Sequence, residues 1–224
     1  MDNKKYKEFA EGSFVHIYNR GNNKERIFFD EQDYKAFLFR IALVLGYNQE
    51  ELKNEMLTMP YSRIRVEPSR INTFKIHSFC LMPNHFHLIV EQCKDKSLSK
   101  LMSSICISYS MYINKKYKRV GHLFQDRFKS NIIEDDAQLM WTSAYIHMNP
   151  VKDGIVKSPE KYKWSSYNDY VEERNLPIVT KDLLLDLFGD KNVFKEETLN
   201  YNKKDDFEES DFMSRVGFDI DYDA

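Results

Sequence analysis

Two short patterns in this chain combine residue types that can do chemistry: His85-Phe86-His87, and Tyr145 followed four residues later by Asn149. On a strand, residues two apart share a face. His85 and His87 would therefore project together, while Phe86, Leu88 and Val90 point the other way into a core. Two neutral imidazoles on one face are good ligands for a divalent metal. The plain alternative is a pair of surface histidines, and the spacing alone does not decide. On a helix, Tyr145 and Asn149 would lie one turn apart on one face. An amide oxygen is a reasonable hard ligand, and a phenol is a nucleophile once positioned and deprotonated. Here the plain alternative is a core tyrosine and a polar helix end.

These patterns must sit on elements that position them. Residues 13–19, SFVHIYN, alternate and read as a strand, followed by a turn at Arg20-Gly21-Asn22-Asn23. From Glu31, the apolar positions Tyr34, Phe37, Leu38, Ile41, Val44 and Leu45 have amphipathic-helix spacing, with Asp30 as the cap. Phe74–Met82 and Phe86–Glu91 read as antiparallel strands joined at Pro83-Asn84. A second helix is expected from about Ser97 to Tyr117, a short strand from about Arg127 to Ile133, and a third helix from Asp135 or Asp136. That helix should stop at Pro150, because a residue before proline is pushed out of the helical region. The order β-α-β-β-α-β-α contains the ferredoxin-like, split βαβ arrangement. The fold class is therefore α+β, an antiparallel sheet with helices on one face, plus a C-terminal extension.

The chain has 224 residues, enough for one large domain with an appendage. Residues 1–170 are read as the main domain, with a polar insertion at about 48–72. Residues 171–201 form a partly helical extension with a short helix around Leu183–Phe188, and residues 202–224 an acidic, disordered tail. Residues 1–170 carry 26 Lys/Arg against 20 Asp/Glu, and residues 171–224 carry 7 against 15. A basic body with an acidic tail makes a polyanionic partner plausible and excludes nothing else. No apolar run approaches the roughly 18 residues of a membrane span, and the charged N-terminus does not read as a secretory signal. A soluble, cytoplasmic protein is expected. Cys80, Cys93 and Cys106 lack paired spacing, so reduced thiols are expected rather than disulfides or a zinc knuckle.

The run HSFCLMPNHFHLIVE (77–91) resembles the metal-binding strand of the HUH single-tyrosine transposases. Three further segments are similar to the REP-associated branch of that group, also called insertion-sequence-200-like. They are VHIYNRGNNKERIF (15–28), RVGHLFQDRFKS (119–130), and YIHMNPVKDGIV (145–156) followed by KYKWSSY (161–167). Together they span about residues 13–170 in the family's order. By this resemblance His85 and His87 match two metal ligands, Tyr145 the nucleophile, and Asn149 the polar ligand one helical turn later. His147 lies about 160° around the helix from Asn149 and stays outside that set.

The resemblance implies a metal-dependent single-stranded DNA transesterase acting on hairpin ends, with Mg²⁺ or Mn²⁺ and no nucleotide cofactor. It implies a 5′-phosphotyrosine intermediate and no membrane partner, and a monomer is preferred over a homodimer. Lys115, Lys116, Lys118, Arg119, Arg127 and Lys129 form the densest basic segment and suit a phosphate track, with Tyr112 and Tyr117 available to stack bases. The alternative is a solvated helix end with core tyrosines. Arg20 joins the expected DNA-binding residues through the N-terminal match. Tyr109, Tyr112 and Tyr117 are rival nucleophiles, but none has Asn or Gln four residues later. Rival functions are a non-catalytic or domesticated single-strand-binding protein, a replication-initiation nickase, and a metal-dependent hydrolase in which Tyr145 is dispensable.

Overall fold

The computed structural model describes residues 9–47, 56, 72–94 and 96–201. The insertion expected at 48–72 and the tail expected at 202–224 therefore fall almost wholly outside the described residues. Four strands, β1 (Phe14–Arg20), β2 (Phe74–Met82), β3 (His85–Gln92) and β4 (Lys129–Ile133), form one sheet in the order β2-β3-β1-β4. Every neighbouring pair is antiparallel. Helices α1 (Glu31–Val44) and α2 (Leu98–Lys116) complete the split βαβ arrangement.

Alternation builds two different faces. Val15, Ile17 and Asn19 of β1 share a row with Val90, Leu88 and Phe86 of β3. This face meets α1 and α2, where Phe37 lies 4.9 Å from Phe86 between ring centroids and packs edge-on against Tyr109. Full burial of these aromatic side chains removes enough apolar surface to supply about 2 kcal/mol or more each. Helix α1 starts where expected: the Asp30 carboxylate accepts from Asp33 N–H at 3.1 Å, and the Asp33 carboxylate from Asp30 N–H at 3.2 Å. That reciprocal capping box satisfies two end donors that would otherwise be unpaired.

The opposite face carries His16, Tyr18 and Arg20 of β1 with His85, His87 and Ile89 of β3. It is covered by α3 (Asp136–Lys152), whose Ser143 Oγ lies 2.8 Å from Ser78 Oγ of β2. The expectation of helices on one face thus holds for α1 and α2 only. A strand that aims two histidines away from the core needs something to cover them, and α3 does so.

Helix α3 also runs through Pro150 instead of stopping there. In the last turn a proline costs only one intrahelical hydrogen bond, and Asn149 keeps its helical place. The end is set by Gly154, at φ +67°, in a Schellman motif. Ile155 N–H donates to the Pro150 carbonyl at 2.9 Å, and Gly154 N–H to the Val151 carbonyl at 3.0 Å.

The segment 158–170 packs along β2. Ser166 N–H donates to the Phe79 carbonyl at 2.9 Å, and the Tyr162 hydroxyl to the Leu81 carbonyl at 2.6 Å. This cover pairs an edge strand that would otherwise expose its backbone. Helix α4 (Tyr167–Val171) follows, then α5 (Asp182–Phe188), where the sequence predicts a short helix around Leu183–Phe188, and α6 (Lys191–Asn200). Phe194 of α6 stacks on Tyr170 at 4.4 Å and touches His147 of α3. All three cysteines are free. Among the described residues no helix is long and apolar enough to cross a membrane.

Candidate active site

The hairpin between β2 and β3 presents His85 at its first strand residue. Its turn is tied down by the connection after β1: Ile27 and Phe28 N–H groups donate to the Pro83 carbonyl at 2.8 and 3.0 Å, and Gly21 N–H to the Asn84 carbonyl at 2.7 Å. Gly21 is required there, because a Cβ would collide with the Glu25 carbonyl oxygen. Arg20, His85 and Met82 lie side by side across the three strands, and Tyr18, His87 and Cys80 form the next row on the same face.

Asn149 reaches this face from the last turns of α3. Its Nδ2 donates to the Tyr145 carbonyl at 3.0 Å, which turns Oδ1 towards His85 Nε2, 3.4 Å away. His85 Nδ1 lies 2.7 Å from Asn84 Oδ1 and donates to it. Burial pushes His85 down to about 4, against the raising effect of Asn149 and with help from the Arg20 charge. A neutral imidazole carries one N–H, and here it is spent on Asn84. The Nε2 lone pair and the Asn149 oxygen therefore face each other as two acceptors. A shared cation satisfies both, so the donor set fits a divalent metal. His87, pushed well below its usual value by burial and by its histidine neighbours, adds a second neutral imidazole, edge-on to His85 at 5.0 Å between centroids. Among the described residues no group of three His, Cys, Asp or Glu side chains forms a metal cage.

Tyr145 stands beside these groups. Its ring is edge-on to His87 at 5.5 Å and stacked on Trp141, one turn earlier, with planes 3° apart. Lys152 Nζ lies 5.7 Å from the Tyr145 ring centroid and donates to the Tyr201 hydroxyl at 3.3 Å. Tyr145 is only partly buried. The rival tyrosines lie elsewhere: Tyr109 is fully buried and donates to the Ile27 carbonyl, and Tyr112 and Tyr117 donate to Asp33.

The chain matches the family described as "Transposase IS200 like" over residues 33–149, more than half its length. This chain is an IS200-like transposase family member. Its resemblance to the REP-associated branch is borne out by two curated relatives. One, from Haemophilus influenzae and assigned to the REP-associated tyrosine transposases, is 26% identical over 115 residues, which is 46% of this chain and 65% of the relative. The chain thus spans about two thirds of that relative's length. The REP-associated tyrosine transposase of Escherichia coli K12 is 24% identical over 135 residues, covering 58% of this chain and 79% of that one. A solved REP-associated tyrosine transposase bound to a REP hairpin shares the fold. Its TM-score is 0.53 at 18% identity, over 76% of this chain and 86% of that chain.

Of the residues the sequence singled out, His85, His87, Tyr145 and Asn149 converge in this transposase-family fold, and Arg20 joins them through its place beside His85. The basic segment divides. Lys116 spends its charge on Asp30 and Asp33, both at 2.7 Å, and Arg119 lies 3.3 Å from Glu25. Tyr112 and Tyr117 belong to the same internal network, each bonding to Asp33. Lys115 and Lys118 are exposed at the end of α2, away from the site face, and Arg127 is exposed in the loop before β4. Lys129 is exposed and pairs in register with Tyr18, the neighbour of His87. His147 is fully buried, 2.8 Å from Ser166 Oγ.

Sequence reasoning missed His16, Trp141, Lys152 and Tyr201. His16 had a visible signal: it shares strand alternation with Tyr18 and Arg20. Its pairing beside His87 depends on strand order, which one sequence does not reveal.

Proposed function

We propose that this chain is a metal-dependent single-stranded DNA transesterase that cleaves and rejoins hairpin ends through Tyr145. The observation that carries the reading is the convergence of the His85 Nε2 lone pair and the Asn149 oxygen beside His87, with the Tyr145 ring against them. His85, His87 and Asn149 would hold Mg²⁺ or Mn²⁺. When bound, such a cation supplies polarisation of the phosphodiester and neutralises charge developing in the transition state.

The chain's own residues do the rest. Trp141 and His87 fix the plane of the Tyr145 ring, which limits the directions the phenol oxygen can take and supports in-line attack. The Tyr145 oxygen attacks phosphorus and loses its proton, a phosphorus–oxygen bond to the 3′ side breaks, and that oxygen leaves as a 3′-hydroxyl after taking up a proton. A 5′-phosphotyrosine remains. A second 3′-hydroxyl reverses the exchange and rejoins a strand, so the bond energy is conserved and no nucleotide cofactor is consumed. Arg20, beside His85, places positive charge where a phosphate would sit. The proposed state is a monomer, and light scattering at twice 26.8 kDa would overturn that part.

The test is covalent capture. Purified protein, Mn²⁺ and labelled single-stranded hairpins, including those flanking its own gene, should yield a labelled protein band that survives denaturing electrophoresis. The band should vanish with EDTA and in Tyr145→Phe. Tight single-strand binding with no band would favour a non-catalytic module, and turnover retained by Tyr145→Phe would favour a hydrolase using water.

A further inference from the structure

We propose that His16 is a positioning residue that accepts a hydrogen bond from His87 Nδ1–H and so keeps the His87 Nε2 lone pair available to the cation. This rests on the metal reading above and assigns a role to a third histidine outside the ligand set.

His16 Nε2 lies 2.9 Å from His87 Nδ1, and the two ring planes are within 8° of parallel. Both side chains are buried, at 1% and 5% exposure, so water does not substitute for either partner. Between two neutral imidazoles there is one proton, and it can sit on either ring. If His16 donates, His87 must carry its own proton on Nε2, which closes that nitrogen to a metal. If His87 donates, Nε2 is a lone pair. Only the second arrangement serves a ligand, and it requires His16 to accept at Nε2 and so to carry its own proton on Nδ1.

The strand geometry holds His16 for this purpose. It lies on β1 diagonal to His87 on β3, since Tyr18 is the direct partner of His87. Tyr18 stacks on the His16 ring at 5.1 Å, and Tyr145 meets it edge-on at 6.3 Å. The ring is thus clamped between a strand neighbour and the helix that carries the nucleophile. An unconstrained neutral histidine favours the proton on Nε2, so without an acceptor at Nδ1 His87 would drift to the form whose Nε2 cannot bind the cation.

The experiment uses the full chain in three forms: wild type, His16→Leu and His16→Gln. Glutamine can offer Oε1 as an acceptor near the same place, and leucine cannot. Thermal unfolding in EDTA identifies any variant that fails to fold. Mn²⁺ affinity, read by electron paramagnetic resonance titration, should fall about 10–100-fold in His16→Leu and recover in His16→Gln. In metal-free protein, ¹⁵N NMR should find His87 protonated on Nδ1 in wild type and His16→Gln, and on Nε2 in His16→Leu. Loss of packing alone would not move that proton. Wild-type His87 protonated on Nε2, or Mn²⁺ binding unchanged in folded His16→Leu, overturns the proposal alone. Wild-type protein that binds no Mn²⁺ ends the metal reading and this proposal with it.

Discussion

Asn149 bonds back to the Tyr145 carbonyl of its own helix, and that single hydrogen bond points its oxygen at His85. The proposed nucleophile and the proposed ligand are therefore set by one turn of α3: a shift of that turn would move both. Replacing the amide breaks only the ligand half, since Tyr145 keeps its helical place and its stacking on Trp141. Asn149→Ala should fold, lose at least about tenfold in Mn²⁺ affinity, and lose covalent capture with it. Isothermal titration on the folded variant checks this, and unchanged Mn²⁺ affinity would remove Asn149 from the ligand set.

Buried neutral histidines make the fold sensitive to mild acid. Burial pushes His16 and His147 down to about 3 and His85 to about 4, and His87 lies well below its ordinary value. The unfolded chain, with histidines near 6.5, takes up protons first. Stability is therefore full above about pH 6.5 and falls as pH drops towards the folded values, by about 1.4 kcal/mol per pH unit for each such histidine within the window. Glu91, held at about 2 mainly by its hydrogen bond from His77, loses its stabilising effect only below the ordinary carboxylate range. Urea midpoints in EDTA should fall from pH 7 to pH 5. His147→Gln, which can keep a hydrogen bond to Ser166, should flatten that slope by about one proton. A midpoint independent of pH over this range would count against buried neutral rings.

Lys116 separates stability from DNA contact. Its ammonium lies between Asp30 and Asp33, and the Asp33 side chain has no exposed surface while that of Lys116 has 22%. Lys116→Met strands a buried carboxylate, partly relieved by its hydrogen bonds from Phe29, Asp30, Tyr112 and Tyr117. A loss of about 2–3 kcal/mol is expected from chemical denaturation. Lys129→Gln, exposed on the site face, should weaken hairpin binding and lower its salt slope by about one. The opposite pattern, with Lys116 setting the salt slope, would return it to the phosphate track.

Period-2 and period-3.6 patterning made the elements legible, because each alternation reports which residues avoid water. That logic located β1 to within one residue and put His85 and His87 on one face. It failed where the outcome depends on long-range pairing. The order β2-β3-β1-β4 brings His16 beside His87, and nothing local to VHIYN announces it. Lys116 looked like a free cation because its partners lie more than 80 residues earlier, at the start of α1. Pro150 reads as a stop by a local rule, and the Schellman turn at Gly154 sets the end instead. Gly154 was the residue to notice: it alone can adopt φ +67° without strain, and nothing crowds its Cβ position. Gly154→Ala should therefore cost about 1 kcal/mol through backbone strain alone, read as a lowered urea midpoint.

Arg20 offers the sharpest test of how the proposed site would hold phosphate. It pairs in register with His85, its charge lowers the affinity of His85 for protons, and its Nε is buried with no hydrogen-bond partner among the described residues. A planar guanidinium can present two parallel N–H groups to phosphate oxygens, whereas an ammonium is a point charge. Arg20→Lys keeps the charge and loses that fork, so hairpin affinity should change little while covalent capture slows about tenfold, the worth of roughly one charge-assisted hydrogen bond at the reacting centre. Arg20→Ala should lose both. Single-turnover cleavage with hairpin affinity measured in parallel distinguishes the two effects. If Arg20→Lys cleaves at the wild-type rate, the residue supplies charge and not geometry. If Arg20→Ala also does so, it has no part in holding the scissile phosphate.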